Sequence, residues 1–193
     1  MSAPSPWIVR WAHLIAPGGA VLDLAAGSGR HVRWLAARGH PVVAVDRDAD
    51  ALAPPGRAEV IVADLENAPW PLGERRFAGV VVTNYLWRPL LPAIVAAGAP
   101  GGALLYETFA AGNETVGRPA RPDFLLAPGE LLGAATGLRI VAYEDGFLSA
   151  PDRFVQRIAA VRPHAGTDPV RCPLEAGAAT AGSVESPASE PQP

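Results

Sequence analysis

Asp23, Asp46 and Asp64 are the acids whose placement first suggests chemistry. Asp23 lies inside an apolar run, and Asp46 and Asp64 each end one: Val21-Leu22-Asp23-Leu24, Val42 to Asp46, and Val60 to Asp64. Between the first two lies the turn Gly27-Ser28-Gly29. Glycine lacks Cβ, so the backbone there can bend sharply and a ligand can come close. An acid ending the run that follows such a turn, where Asp46 stands, can accept both hydroxyls of a ribose. Asp64 ends the next run, where an adenine amino group would lie. One acid at a strand end is more often a helix cap, and one Gly-x-Gly is more often a tight turn. The set of three acids beside the turn carries the reading. Asn84 and Tyr85 follow a fourth run, and Glu107 follows a fifth.

These residues need elements to position them. Ser5-Pro6 starts a helix, with Ser as N-cap and Pro in the first turn. Trp7, Ile8, Trp11, Leu14 and Ile15 follow at helical spacing. Mostly apolar runs over 20–24, 41–45, 58–63, 77–83 and 103–106 read as buried strands. Helices are expected over 30–38, near 48–52, over 89–97 and over 128–135. Two last strands, 138–143 and 154–161, have no helix between them and so pair antiparallel. Buried strands alternating with helices imply a parallel sheet covered on both faces. The fold expected is α/β: a doubly wound, mostly parallel, seven-stranded Rossmann-like sheet with a C-terminal antiparallel hairpin. Ligands of such sheets bind at the carboxyl ends of the strands, which is where the acids and Glu107 fall.

VLDLAAGSGRH (21–31), VVAVDRD (42–48) and VIVADLE (60–66) resemble the successive motifs of class I S-adenosylmethionine-dependent methyltransferases. The resemblance runs from about residue 6 to residue 162, and it looks nearest to small bacterial enzymes of the tellurite-resistance type. It implies the class I methyltransferase fold, S-adenosyl-L-methionine as cofactor, and methyl transfer to a small-molecule acceptor. By the same resemblance Asp23, Ala25, Gly27 and Gly29 frame the methionine portion. Asp46, with Arg47 beside it, takes the ribose; Asp64 and the Leu65 backbone take adenine. Asn84 and Tyr85 lie near the sulfonium. Ala25 stands where the family often has its first glycine, and is tolerable there if its φ is negative. The segment VTNYLW (82–87) is not Asn-Pro-Pro-Tyr, which argues against amide or base methylation by that route. The rival cofactor is NAD. Its Gly-x-Gly-x-x-Gly pattern is broken by Val32, and Asp23 would repel a diphosphate. An NAD-linked oxidoreductase and a cofactor-binding protein without turnover remain the alternatives.

The acceptor side is expected in the long segment 106–131. Glu107 is placed there as a general base, or as a partner for a cationic acceptor, with Tyr85 as an aromatic wall. Asn113 and Arg118 are substrate candidates, Arg118 as a clamp for an anion. Arg121 reads instead as a partner of Glu114 or Asp123 that pins the loop. Trp7 and Trp11 suit either a lid over the cofactor or core packing. His31 reads as a local cap. No His/acid set has metal-ligand spacing, so no metal is expected.

All 16 cations are arginine, against 19 acids. No basic run exists to displace counterions, which argues against a nucleic-acid partner. A single cysteine, Cys172, excludes an internal disulfide. The apolar stretch 89–106 is broken by Pro and Gly, so no membrane segment is expected, and the cytoplasm is the expected location. Residues 1–162 balance 15 arginines against 15 acids, whereas 163–193 hold Arg171 and four acids with six prolines. The chain thus divides into a catalytic domain, 1–162, and an acidic Pro/Ala-rich tail, 163–193, expected to be disordered. Oligomeric state is not encoded legibly.

Overall fold

The computed structural model describes residues 2–48, 58–164, 166 and 171–176. Its first helix, α1 (Pro6–Trp11), is capped by the Ser5 hydroxyl, which accepts from the Trp7 amide, and it buries Trp7, Ile8 and Trp11. A short 3-10 turn over Ala12–Leu14 takes the place of the second half of the expected helix. Strand β1 (Val21–Leu24) is buried along its whole length. Helix α2 (Arg30–Ala36) starts from Gly29, whose φ of 67° only glycine adopts readily. Then come β2 (Val42–Asp46), β3 (Ala58–Val62), β4 (Phe77–Thr83), α3 (Leu91–Ala96), β5 (Gly98–Phe109), α4 (Glu130–Ala134), β6 (Arg139–Ser149) and β7 (Asp152–Val161).

One sheet holds all seven strands in the order β3-β2-β1-β4-β5-β7-β6. The first five run parallel, and β7 enters antiparallel between β5 and β6. The order reverses between β1 and β4, so a crevice opens above the ends of these strands. One face of the sheet carries Leu22, Val80, Leu104 and Ile158 under α3 and α4. The other carries Val21, Val81, Leu105 and Ala159 under α1 and α2.

Three expectations shift. The helix expected near 48–52 falls outside the described residues, apart from Asp48. The fifth strand is longer at both ends than 103–106, starting at Gly98 and running on to Phe109. The sixth strand continues to Ser149, because Phe147 and Phe154 meet across the hairpin with ring centroids 5.0 Å apart. From the tail, Cys172 packs against the α1 side of the core, and the Pro173 carbonyl lies 3.0 Å from His13 Nε2. Among the described residues no helix is long and apolar enough to cross a membrane.

Candidate active site

A cleft of about 520 Å³ lies above the switch point, within the usual size of a small-molecule site. Asp46, Arg47, Asp64 and Leu65 form one side, and Ala25, Asn84 and Tyr85 form the floor and the opposite side. The structure therefore brings together seven of the residues singled out from sequence. Asp46 joins the glycine turn to β2, its Oδ2 accepting from the Gly27 amide at 2.8 Å and its Oδ1 from the Asp48 amide at 3.0 Å. Asp64 is exposed and caps its own turn, accepting from the Glu66 and Asn67 amides and from Asn67 Nδ2. These bonds favour its charged form and hold its carboxyl below the usual range.

Ala25 departs from expectation. Its φ is +54° rather than negative, and Asn84 across the cleft has φ +55°. Asparagine tolerates this left-handed region, whereas alanine pays for its Cβ. The bend after β1 dictates the conformation, so Ala25 occupies a glycine's backbone geometry.

Asp23 sits one rung below the cleft floor and is 1% exposed. Neither of its oxygens has a hydrogen-bond partner. Burial pushes its carboxyl up to about 7, against the pull of the Arg30 charge. His31, at the start of α2, is likewise buried, and its Nε2 accepts from the Ser5 amide at 3.0 Å. Burial, helped by Arg30, lowers its pKa to about 3, so the ring is neutral.

Glu107 is not at the open rim. Because β5 continues to Phe109, Glu107 lies two residues inside the strand and is 0% exposed. Its Oε1 accepts from Ser5 Oγ at 3.0 Å, its Oε2 faces Arg157 at 3.4 Å, and Arg153 stands 3.7 Å away. It does not line the cleft, which corrects its assignment as a general base. Thr83, Glu107, Arg157 and Glu144 are direct neighbours on successive strands β4, β5, β7 and β6. They form a polar row across the sheet under Trp7, whose ring lies 4.9 Å from the Arg157 guanidinium.

Tyr85 lines the cleft, but its hydroxyl is buried and unpartnered, and burial with the charges of Glu66 and Asp64 raises its pKa. Those acids stand on the β3 side of the cleft, so the phenol faces that end. Asn113 does not face the cleft as a ligand. Its amide is spent on the chain, donating to the Pro119 carbonyl and accepting from the Phe154 amide. Arg121 pairs with Asp123 at 2.7 Å, as its spacing suggests. Trp7 and Trp11 are both 2% exposed and belong to the core, not to a lid. Phe109, Pro119 and Phe124, all within the segment 106–131 expected to hold the acceptor, close the far side of the cleft. Pro119 and Phe124 were not singled out from sequence, and the aromatic character of Phe124 was the signal available. Among the described residues no group of three or more His, Cys, Asp or Glu side chains could hold a metal.

No family profile matches the chain, and no curated protein matches it in sequence. Solved structures do match in shape. TehB from Haemophilus influenzae superposes with a TM-score of 0.67 at 21% identity, over 84% of this chain and 63% of TehB. This chain thus spans under two thirds of TehB's length. A SAM-dependent methyltransferase from Methanosarcina mazei gives 0.64 at 15% identity, over 84% of this chain and all of that one. The [4+2]-cyclase SpnF gives 0.60 at 15% identity, over 82% of this chain and 79% of SpnF. Strand order, the antiparallel β7 and these superpositions agree: the chain has the class I methyltransferase fold.

Proposed function

We propose that this protein is an S-adenosylmethionine-dependent methyltransferase acting on a small-molecule acceptor. The observation that carries the proposal is the pairing of Asp46 with the Gly27 amide at the edge of a nucleoside-sized cleft. The buried Asp23 tests the fit of the cofactor. A buried carboxyl with no hydrogen-bond partner beside the glycine turn would be drawn into its ionised form by the ammonium of an amino acid. It would repel the diphosphate of NAD. The description of the Methanosarcina mazei neighbour as a SAM-dependent methyltransferase supports the same reading.

When bound, the cofactor supplies a methyl group on sulfur with its leaving group built in. The chain's residues then need only bind, orient and exclude water. Asp46 holds the ribose hydroxyls, with Arg47 beside it. Asp64 and the Leu65 backbone hold adenine, with Tyr85 against that end. Ala25, Gly27 and Gly29 bring the backbone close to the methionine portion. Asn84 stands at the end of β4 on the cleft wall, where it would help orient the acceptor toward the methyl group that the cofactor would supply. Glu107 acts from beneath as a positioning residue that ties α1 to the end of β5.

Calorimetry with S-adenosylhomocysteine and with NADH tests the cofactor. Binding of NADH and not of S-adenosylhomocysteine would sink the proposal. Release of S-adenosylhomocysteine across an acceptor panel tests turnover. Cofactor binding with no release for any acceptor would favour a binding protein or another reaction on this fold, as SpnF's description as a cyclase illustrates.

A further inference from the structure

The two halves of the cleft differ in chemistry. Asp46, Asp64 and Glu66 crowd the nucleoside half, whereas Leu86, Phe109, Pro119 and Phe124 line the other, with no acid among them. The loop after β5 forms that second wall and is held firmly. Asn113, 1% exposed, donates from Nδ2 to the Pro119 carbonyl at 3.0 Å and accepts at Oδ1 from the Phe154 amide at 3.2 Å. Pro119 and Phe124 border both the cleft and a shallow recess shared by Arg118 and Arg121. Arg121 is engaged with Asp123 and stands 5.3 Å over the Phe124 ring. Arg118 is exposed and has no hydrogen bond or ion pair to any described residue.

We propose that the acceptor is a flat aromatic anion, its ring against Phe109 and Phe124 and its carboxylate or similar group on the Arg118 guanidinium. This rests on the methyltransferase reading above. Aromatic walls favour ring faces. A guanidinium offers a planar, bidentate fit to a carboxylate. Among the described residues a cationic acceptor finds no acid lining this half, and Glu107 is shut away by Ser5 and the arginines.

The test uses the full chain saturated with S-adenosylhomocysteine and titrated with benzoate, benzyl alcohol, benzylamine and acetate. Benzoate is expected to bind at least tenfold more tightly than the other three. Arg118→Ala is expected to abolish that preference and leave S-adenosylhomocysteine affinity unchanged. Equal binding of benzyl alcohol, benzylamine or acetate, no binding of benzoate, or a benzoate preference that survives Arg118→Ala would each overturn the proposal. Failure of the unaltered chain to bind S-adenosylhomocysteine would instead overturn the cofactor assignment.

Discussion

Asp46 spends one carboxylate oxygen on the Gly27 amide and the other on the Asp48 amide, and each oxygen keeps a lone pair for a ribose hydroxyl. Hydrogen bonds to a charged group contribute roughly 1.5–3 kcal/mol each. On the proposed reading, Asp46→Ala removes the ribose bonds together with the anchor of the glycine turn. It is expected to weaken S-adenosylhomocysteine binding tenfold or more by calorimetry, and unchanged affinity would place the ribose elsewhere. Ala25 offers a change in the other direction. An alanine at φ +54° stores about 1–3 kcal/mol of strain, and glycine there gives back part of this through the entropy of the unfolded chain. Ala25→Gly is expected to raise stability by about 1 kcal/mol, read as a higher urea midpoint. A lower midpoint would mean that the left-handed turn is unstrained.

Local signals explain which elements were legible. Ser5-Pro6 announces the start of α1 because cap and proline act within one turn. The end of β5 was not legible. Glu107 is a charged residue after an apolar run and reads as a strand end. What keeps it inside the strand is Arg157, fifty residues later, and Ser5, 102 residues earlier. No local pattern carries that pairing. Trp7 and Trp11 were equally undecided, since an amphipathic helix shows which face is apolar but not what covers it. The Ser5 junction makes a testable unit. Its amide donates to His31, its hydroxyl donates to Glu107, and the same oxygen caps the Trp7 amide. Ser5→Ala removes the cap and leaves a buried carboxylate oxygen short of a donor. The cost expected is about 2 kcal/mol, seen as a lower melting temperature. A loss within measurement error would show that Arg153 compensates.

The whole molecule was the most legible scale, because seven strand-like runs with helices between the early ones leave few arrangements open. The placement of Asp46 and Asp64 at the cleft followed from it, since strand ends fix where they stand. The acceptor side did not, because its walls come from a long loop with no period. The folded chain also balances two buried titrations. Asp23 is protonated when folded and ionised when unfolded between about 4 and 7, so its contribution to stability is full at low pH and is lost as pH rises through that window. His31 is neutral when folded and protonated when unfolded between about 3 and 6.5, so stability falls as pH drops through its window. Where the windows overlap, from about 4 to 6.5, the two oppose each other. His31→Gln keeps an acceptor for the Ser5 amide and removes one of them. Its urea midpoint is expected to rise, relative to the unaltered chain, as pH is lowered from 7 to 5. Parallel profiles for the two proteins would refute the opposition.

The polar row through Thr83, Glu107, Arg157 and Glu144 acts on the C-terminal hairpin as a combination lock. β7 is the last strand to arrive in sequence, yet it must insert between β5 and β6. Side chains alternate along a strand, so sliding β7 by one residue would turn Arg157 into the aliphatic layer of Leu104 and Ile158. It would also strand Glu107 and Glu144 without their shared cation. A slip by two would keep the face but set Val155 or Ala159 against the two acids. Only one alignment leaves Glu107 and Glu144 both on Arg157, so the hairpin tolerates no near-miss threading.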